Sequence, residues 1–236
     1  GIDLTLRRGE ILGLVGESGS GKSLFARSLL RLESPAAVRA GSILLDGREL
    51  TVKTQKQMRA LRGKKIALVL QNPESAMDPV FTMGYQFREV LLSQEKSTSR
   101  GRKAGFSKIE RFLDAVGIAS ARKRCRQYPH EWSRGMLQRG KLAMVFSTRP
   151  AVAILDEITS ALDPTVCLQV LDAIRRLKEK SGTAIMLISH DLFLAAEICD
   201  RVAVMKAGRI VETGTVREIF DGPVHPYTRA LVSSAR

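Results

Sequence analysis

Cysteine is scarce in this chain of 236 residues: Cys125, Cys167 and Cys199 stand far apart. Without paired spacings they exclude a disulfide framework and a zinc-type cysteine site, and reduced thiols are the expectation. Aromatic residues make up only 5% of the chain, with a single tryptophan, and no RNA-binding aromatic motif occurs among them. No apolar run approaches the ~18 residues that a membrane span needs, and no signal peptide is visible. Coiled-coil heptads, internal repeats and low-complexity tracts are also missing. Acidic residues are in deficit, 24 against 38 basic ones, for a formal charge of +14. That sign suits nucleic acid, an anionic membrane surface or a polyanionic ligand, and equally a solvated arginine-rich surface. What the chain does have is 44% apolar residues, enough for a globular core in one large domain or two small ones. It begins at Gly1 instead of methionine, so a preceding N-terminal piece is expected.

Hydrophobic patterning alternates between strand and helix. "EILGLVG" (10–16), "KKIALVLQ" (64–71), "AVAILD" (151–156) and "TAIMLIS" (183–189) read as buried strands. "GSILLDG" (41–47) is a short strand ended by an Asp-Gly turn, and 201–214 reads as a hairpin around Ala-Gly. Helices are expected at 22–32 and at 164–180, the latter opened by Pro164. From about 84 to 147 the pattern is helical, with a polar, turn-rich loop expected at 93–105. Apolar strands flanking a helix indicate a parallel sheet covered on both faces. The expected fold class is therefore α/β: a core of 1–83 and 148–236 with an inserted helical subdomain, 84–147.

"GESGSGKS" (16–23) fits G-x-x-x-x-G-K-[ST] between a strand and a helix. Glycines at 16, 19 and 21 let successive amides turn inward, and the helix N-terminus adds partial positive charge. Gly16, Glu17, Ser18, Gly19, Ser20, Gly21, Lys22 and Ser23 thus form the candidate ATP loop. Lys22 would reach the β- and γ-phosphates and the Ser23 hydroxyl would bind Mg²⁺.

"ILDE" ends a hydrophobic strand in Asp156 and Glu157. Adjacent acids are costly to desolvate unless a cation faces them, which Mg²⁺ would supply to Asp156. Glu157, pointing elsewhere, would orient or deprotonate water. A helix-capping acidic pair is the alternative. Gln71 and His190 also follow buried strands, and such positions converge at one edge of a parallel sheet. Gln71 is a candidate Mg²⁺ or water contact and His190 a γ-phosphate contact; singly, each would pass as a turn residue.

These motifs, with "SRGMLQR", "SALD" and "ISH" in the same order and approximate spacing, resemble the ATP-binding subunits of ABC transporters over nearly the whole chain. "QNPESAMDPVFTMG" and the tail "GPVHPYTRALVSSA" are similar to subunits energising uptake of dipeptides, oligopeptides or nickel. The resemblance implies a P-loop NTPase core and Mg²⁺-dependent ATP hydrolysis at the cytoplasmic face of the membrane, as a peripheral subunit. It also implies a second, non-identical ATP-binding subunit, two membrane-spanning permease subunits and, indirectly, an extracytoplasmic substrate-binding protein; nucleic acid is not an expected partner. Two ATP molecules would be buried head to tail, each between one chain's phosphate loop and the other's signature loop. Asp163 would lie at that interface, and Gln71 with 72–84 would face the membrane subunit.

The family's signature loop reads LSGGQ, and this chain has Trp132, Ser133, Arg134, Gly135 and Met136. Ser133 and Gly135 would offer a hydroxyl and an amide to a γ-phosphate. Arg134 is the departure, because glycine there tolerates close approach or positive φ while arginine adds bulk. Hence the expectation of one competent and one weakened composite site. Ile158 replaces the usual proline, with no clear consequence. No aromatic residue precedes Gly16 to stack on adenine. Two rivals remain at this point: an ABC-type ATPase acting on nucleic acid or ribosomes, and a module that binds ATP without hydrolysing it.

Overall fold

The computed structural model describes residues 2–33, 40–71, 76–93, 101–160 and 162–235. Part of the expected membrane-facing segment (72–75), part of the expected loop (94–100) and Ala161 of "SALD" lie outside them.

Its centre is a six-stranded sheet in the order β4-β5-β6-β1-β7-β8. The strands are β1 (Ile11–Val15), β4 (Ile66–Val69), β5 (Val152–Asp156), β6 (Ala184–Ser189), β7 (Arg201–Lys206) and β8 (Arg209–Thr215). The first five pair in parallel, and β8 returns antiparallel through Ala207 and Gly208, both at positive φ. A hairpin of β2 (Leu44–Leu45) and β3 (Arg48–Glu49) stands apart. Its turn residues Asp46 and Gly47 have φ of 49° and 74°, as a two-residue hairpin turn requires.

Every residue of β1 and β6 is buried, because helices cover both faces of the sheet. Alternation still sorts them. Leu12, Leu14, Ile154, Met186 and Ile188 pack with Ala26 and Leu30 around α1 (Lys22–Leu29). Ile11, Val15, Leu155, Ile185 and Leu187 join the larger core on the other face. That core takes in α7 (Pro164–Ser181), which buries Val170, Ile174 and Leu177 at helical spacing. Truncating a central strand residue such as Leu155 to alanine costs about 2–5 kcal/mol.

Between β4 and β5 the described chain is helical: α3 (Met83–Leu92), α4 (Gly101–Ala115), α5 (Ala121–Arg124), a 3₁₀ turn at Pro129–Glu131 and α6 (Arg134–Ser147). Phe87, Leu113 and Trp132 belong to the same core as Val15 and Leu155. The expected loop at 93–105 needs correction, since α4 already begins at Gly101. Its Ile109 and Leu113 are buried, and that anchorage overrides a polar, glycine-containing start. The sequence reading also missed β3, the three helices after β6, and α2 (Gln55–Leu61), whose reciprocal Thr54–Gln57 capping box was a readable signal. The remaining helices are α8 (Leu192–Ile198), α9 (Val216–Asp221) and α10 (Pro226–Ala235). The cysteines are free; burial pushes Cys125 up to about 11 and Cys199 up to about 12, so both resist ionisation. Among the described residues, no helix is long and apolar enough to cross a membrane.

Candidate nucleotide site

Parallel pairing sends the C-terminal ends of β1, β4, β5 and β6 to one edge of the sheet, and the residues that follow them meet there. After β1 the chain turns through Gly16, Gly19 and Gly21, at φ of 156°, 81° and 103°. A Cβ on Gly16 would stand 2.2 Å from the Met205 carbonyl oxygen, so glycine is a steric requirement there. Gly21 is the N-cap of α1 and no side chain bonds the first amides of that helix. Lys22 is only 4% exposed. Its Nζ donates to the carbonyls of Gly16 (2.8 Å) and Glu17 (2.9 Å) and to Ser20 Oγ (3.4 Å). Burial lowers its pKa, with Glu157 and Asp156 pulling the other way.

Ser23 Oγ donates to Asp156 Oδ1 at 3.0 Å, joining the loop to the end of β5. Asp156 is 4% exposed, and desolvation raises its pKa against the Ser23 hydrogen bond and the charges of Arg27 and Lys22. A buried carboxylate paired with a hydroxyl is an oxygen donor set that a small hard cation fits. A glycine-rich turn leading into a helix start without a side-chain cap, with a lysine folded against it, likewise fits phosphate.

Glu157 turns away from its neighbour because its φ is 46°. The left-handed region costs a non-glycine residue about 1–2 kcal/mol, and the Glu157 amide, donating to Ile188 O at 3.0 Å, helps hold it. Its carboxylate then accepts from Gln71 Nε2 at 3.1 Å and lies 3.6 Å from His190 Nδ1. Gln71 Nε2 also donates to Ser160 Oγ at 3.0 Å, and that hydroxyl donates to Glu157 O at 2.7 Å. Residues from three strand ends thus form one polar cluster beside the loop.

Ser133, Gly135 and Asp163 sit elsewhere. Ser133 caps α6 by accepting from Met136 N at 3.3 Å, and Asp163 caps α7 by accepting from Val166 N at 3.0 Å. The two helix starts touch: a Cβ on Gly135 would come 2.4 Å from Val166 Cγ1. Trp132 lies against Gly140, where a Cβ would meet its ring at 2.7 Å, which seats the large residue that stands at the leucine position. The positive φ expected of a glycine at position 134 needs correction. Arg134 is the first residue of α6 and is absent from the positive-φ residues, so arginine is accommodated there without strain. What departs is the guanidinium itself, on the exposed side of the loop.

Three contacts were invisible in the sequence. Ser160 joins the Glu157 cluster. Lys141, in the buried middle of α6, donates to Leu70 O at 2.8 Å, directly before Gln71. Tyr227, in the tail that the sequence marked only as a subfamily feature, accepts from Glu17 N at 3.0 Å.

A lysine, a hydroxyl and a carboxylate gathered around a glycine-rich loop at the edge of a parallel sheet suit a nucleotide's phosphates, which puts the molecule among the P-loop ATPases. Comparison with known proteins narrows that class. The sequence profile described as "ABC transporter" matches residues 1–160. The oligopeptide transport ATP-binding protein OppD of Lactococcus lactis is 43% identical over 99% of this chain and 68% of its own length. OppD of Bacillus subtilis is 42% identical over 99% of this chain and 65% of its own length. The probable peptide ABC transporter ATP-binding protein y4tR of Sinorhizobium fredii is 43% identical over 99% and 70%. The chain thus spans about two thirds of these relatives. Among solved structures, cbiO1 of Clostridium perfringens, described as part of the ABC transporter complex cbiONQ, superimposes with a TM-score of 0.81 at 25% identity, covering 94% of this chain and 83% of that one. The ATP-binding cassette MJ0796, solved as a dimer with ADP and Pi, has the same fold, with a TM-score of 0.78 at 21% identity over 92% of this chain and 89% of that one. The chain belongs to the ABC transporter family, as an ATP-binding ATPase subunit.

Proposed function

We propose that this subunit energises uptake of peptides across the cytoplasmic membrane, working from the cytoplasmic face against two permease subunits and beside a second, non-identical ATP-binding subunit. An extracytoplasmic binding protein would deliver the cargo. The observation that carries the hydrolytic part is the Glu157 carboxylate held between Gln71 and His190 beside the Ser23–Asp156 pair. Peptide as cargo is supported by the relatives' names at 42–44% identity.

In this reading amides of the 16–23 loop other than those of Glu17 and Ser20, together with the Lys22 ammonium, bind the β- and γ-phosphates, Lys22 exchanging its carbonyl partners for phosphate oxygens. Ser23 and Asp156, with Gln71 from the neighbouring cluster, would hold Mg²⁺, which would offset phosphate charge. Glu157 accepts the proton of the attacking water, and Gln71 and His190 position that water and the γ-phosphate. Ser133, Gly135 and Asp163 act across the interface, on the nucleotide of the partner subunit. The helices within 84–147 form the subdomain that meets the permease. Basic charge suits a peripheral subunit near an anionic leaflet.

ATP turnover by the reconstituted transporter tests the cargo. Short peptides on the binding protein should stimulate it, whereas stimulation by nickel or a nickel chelate alone would overturn the peptide assignment. Arg134 weakens the composite site it enters, so Arg134→Gly should raise turnover of the complex; unchanged turnover would remove the asymmetry.

A further inference from the structure

Glu17 is a junction within the phosphate loop. Its carbonyl receives Lys22 Nζ at 2.9 Å and Ser20 N at 3.2 Å, so one peptide group anchors both the lysine and the loop's inner turn. Its amide is not held by the loop. It donates to the Tyr227 hydroxyl at 3.0 Å, from a residue 210 positions away.

Tyr227 is itself firmly seated. It is 8% exposed, and Lys206 Nζ, at the end of β7, lies 4.5 Å from its ring centroid, within cation–π range. Its own amide donates to His225 Nδ1 at 3.1 Å. The Glu212 carboxylate accepts from Val224 N (2.8 Å) and His225 N (3.0 Å), fixing the turn into α10 on β8. The same hairpin reaches the loop twice more: Gly208 N donates to Ser20 O at 2.9 Å, and the Met205 carbonyl stands where a Gly16 Cβ would be. The phosphate loop is therefore braced on one side by the β7–β8 hairpin and the start of α10.

We infer that Tyr227 is a positioning residue of the nucleotide site: by fixing the Glu17 peptide it presets the loop and Lys22 for phosphate, and it makes the C-terminal "HPYT" segment part of the ATP-binding apparatus. A loop held in its binding geometry loses less entropy when the ligand arrives, so the effect falls on nucleotide affinity and leaves the hydrolytic step alone. The inference rests on the reading above that ATP occupies this loop.

Tyr227→Phe removes the hydroxyl and keeps the ring and its cation contact. Three quantities should be read on the full chain: affinity for trinitrophenyl-ATP without Mg²⁺, hydrogen exchange of the nucleotide-free phosphate loop, and KM and kcat for ATP in the assembled complex. One neutral hydrogen bond lost predicts affinity weaker by about 3- to 10-fold, with KM rising in parallel. The kcat should stay within about twofold, and exchange should quicken over 16–20. Unchanged affinity and unchanged loop exchange would overturn the inference, even if α10 melted earlier, because that pattern means a purely structural tyrosine. If Tyr227→Phe does not fold, Lys206→Met decides: it keeps the hydroxyl but loosens the ring, so KM should rise by about twofold, and an unchanged KM would count against the proposal. Lys22→Ala separates the two levels. Tight nucleotide binding by that variant would defeat the site itself, whereas its loss alongside normal binding by Tyr227→Phe would defeat only the role of Tyr227.

Discussion

Helix α1 begins at Lys22 behind Gly21 with no side chain on its first amides, whereas α6 begins at Arg134 with Ser133 bonded to Met136 N. Both starts are expected to meet phosphate, yet they are built for different circumstances. The α1 start is enclosed: glycines at positive φ, a buried lysine and a buried carboxylate prepare it within one chain. The α6 start is half closed by its own cap and shows Ser133 and Arg134 at the surface, with Gly135 packed on Val166. A helix start without a side-chain cap leaves its partial positive charge for a ligand, while a capped, exposed helix start is already satisfied within the chain. On the proposed reading the first region supplies nucleotide affinity and the second would meet the partner subunit.

The sharpest break comes from the hydrolytic side. Glu157→Gln should lower turnover by about 10²- to 10⁴-fold and leave ATP binding in place, read by single-turnover hydrolysis beside equilibrium binding. Loss of both together would place Glu157 among the binding groups. Lys22→Ala should weaken ATP by roughly 10- to 100-fold, because a charge-assisted contact disappears from the enclosed site. In the α6 region the equivalent damage is structural. Gly135→Ala brings a Cβ to 2.4 Å from Val166 Cγ1 and should lower unfolding free energy by about 1–3 kcal/mol, with nucleotide affinity of the isolated chain intact. A melt combined with the same binding assay checks it, and lost affinity would erase the division between the two regions.

The smallest effect concerns the middle of α6, where Lys141 touches the strand end before Gln71. Burial lowers its pKa from 10.5 to about 8. Below pH 8 both folded and unfolded chains carry the charge, and the folded one bears its desolvation. Between about 8 and 10.5 the unfolded chain binds more protons, so stability attributable to Lys141 rises with pH across that window. Denaturant melts of the parent should therefore gain on those of Lys141→Met from pH 8 to pH 10. Parallel curves would mean that the ammonium is well solvated.

Much of this was legible because it is local. "GESGSGKS" is strand, turn and helix within a few residues, and its glycines carry their backbone freedom with them. Asp156 and Glu157 were readable as strand-end acids, and Pro164 as a helix start. The backbone of Arg134 was misjudged because five letters of a motif do not reveal that a helix has already begun. The start of α4 at Gly101 was missed because local polarity argued for a loop, while burial of Ile109 and Leu113 against other helices decided otherwise.

The sequence by itself determined the parallel α/β plan, through continuous apolar strand runs alternating with helices of period 3.6, and the position of the phosphate loop. Only tertiary structure decided that Gln71 meets Glu157 across 86 positions, that Lys141 bonds Leu70 O directly before Gln71, and that Tyr227 holds Glu17 across 210. The reason is physical: backbone conformation follows from neighbours along the chain, but a hydrogen bond between distant side chains exists only after the core has packed the strands that carry them.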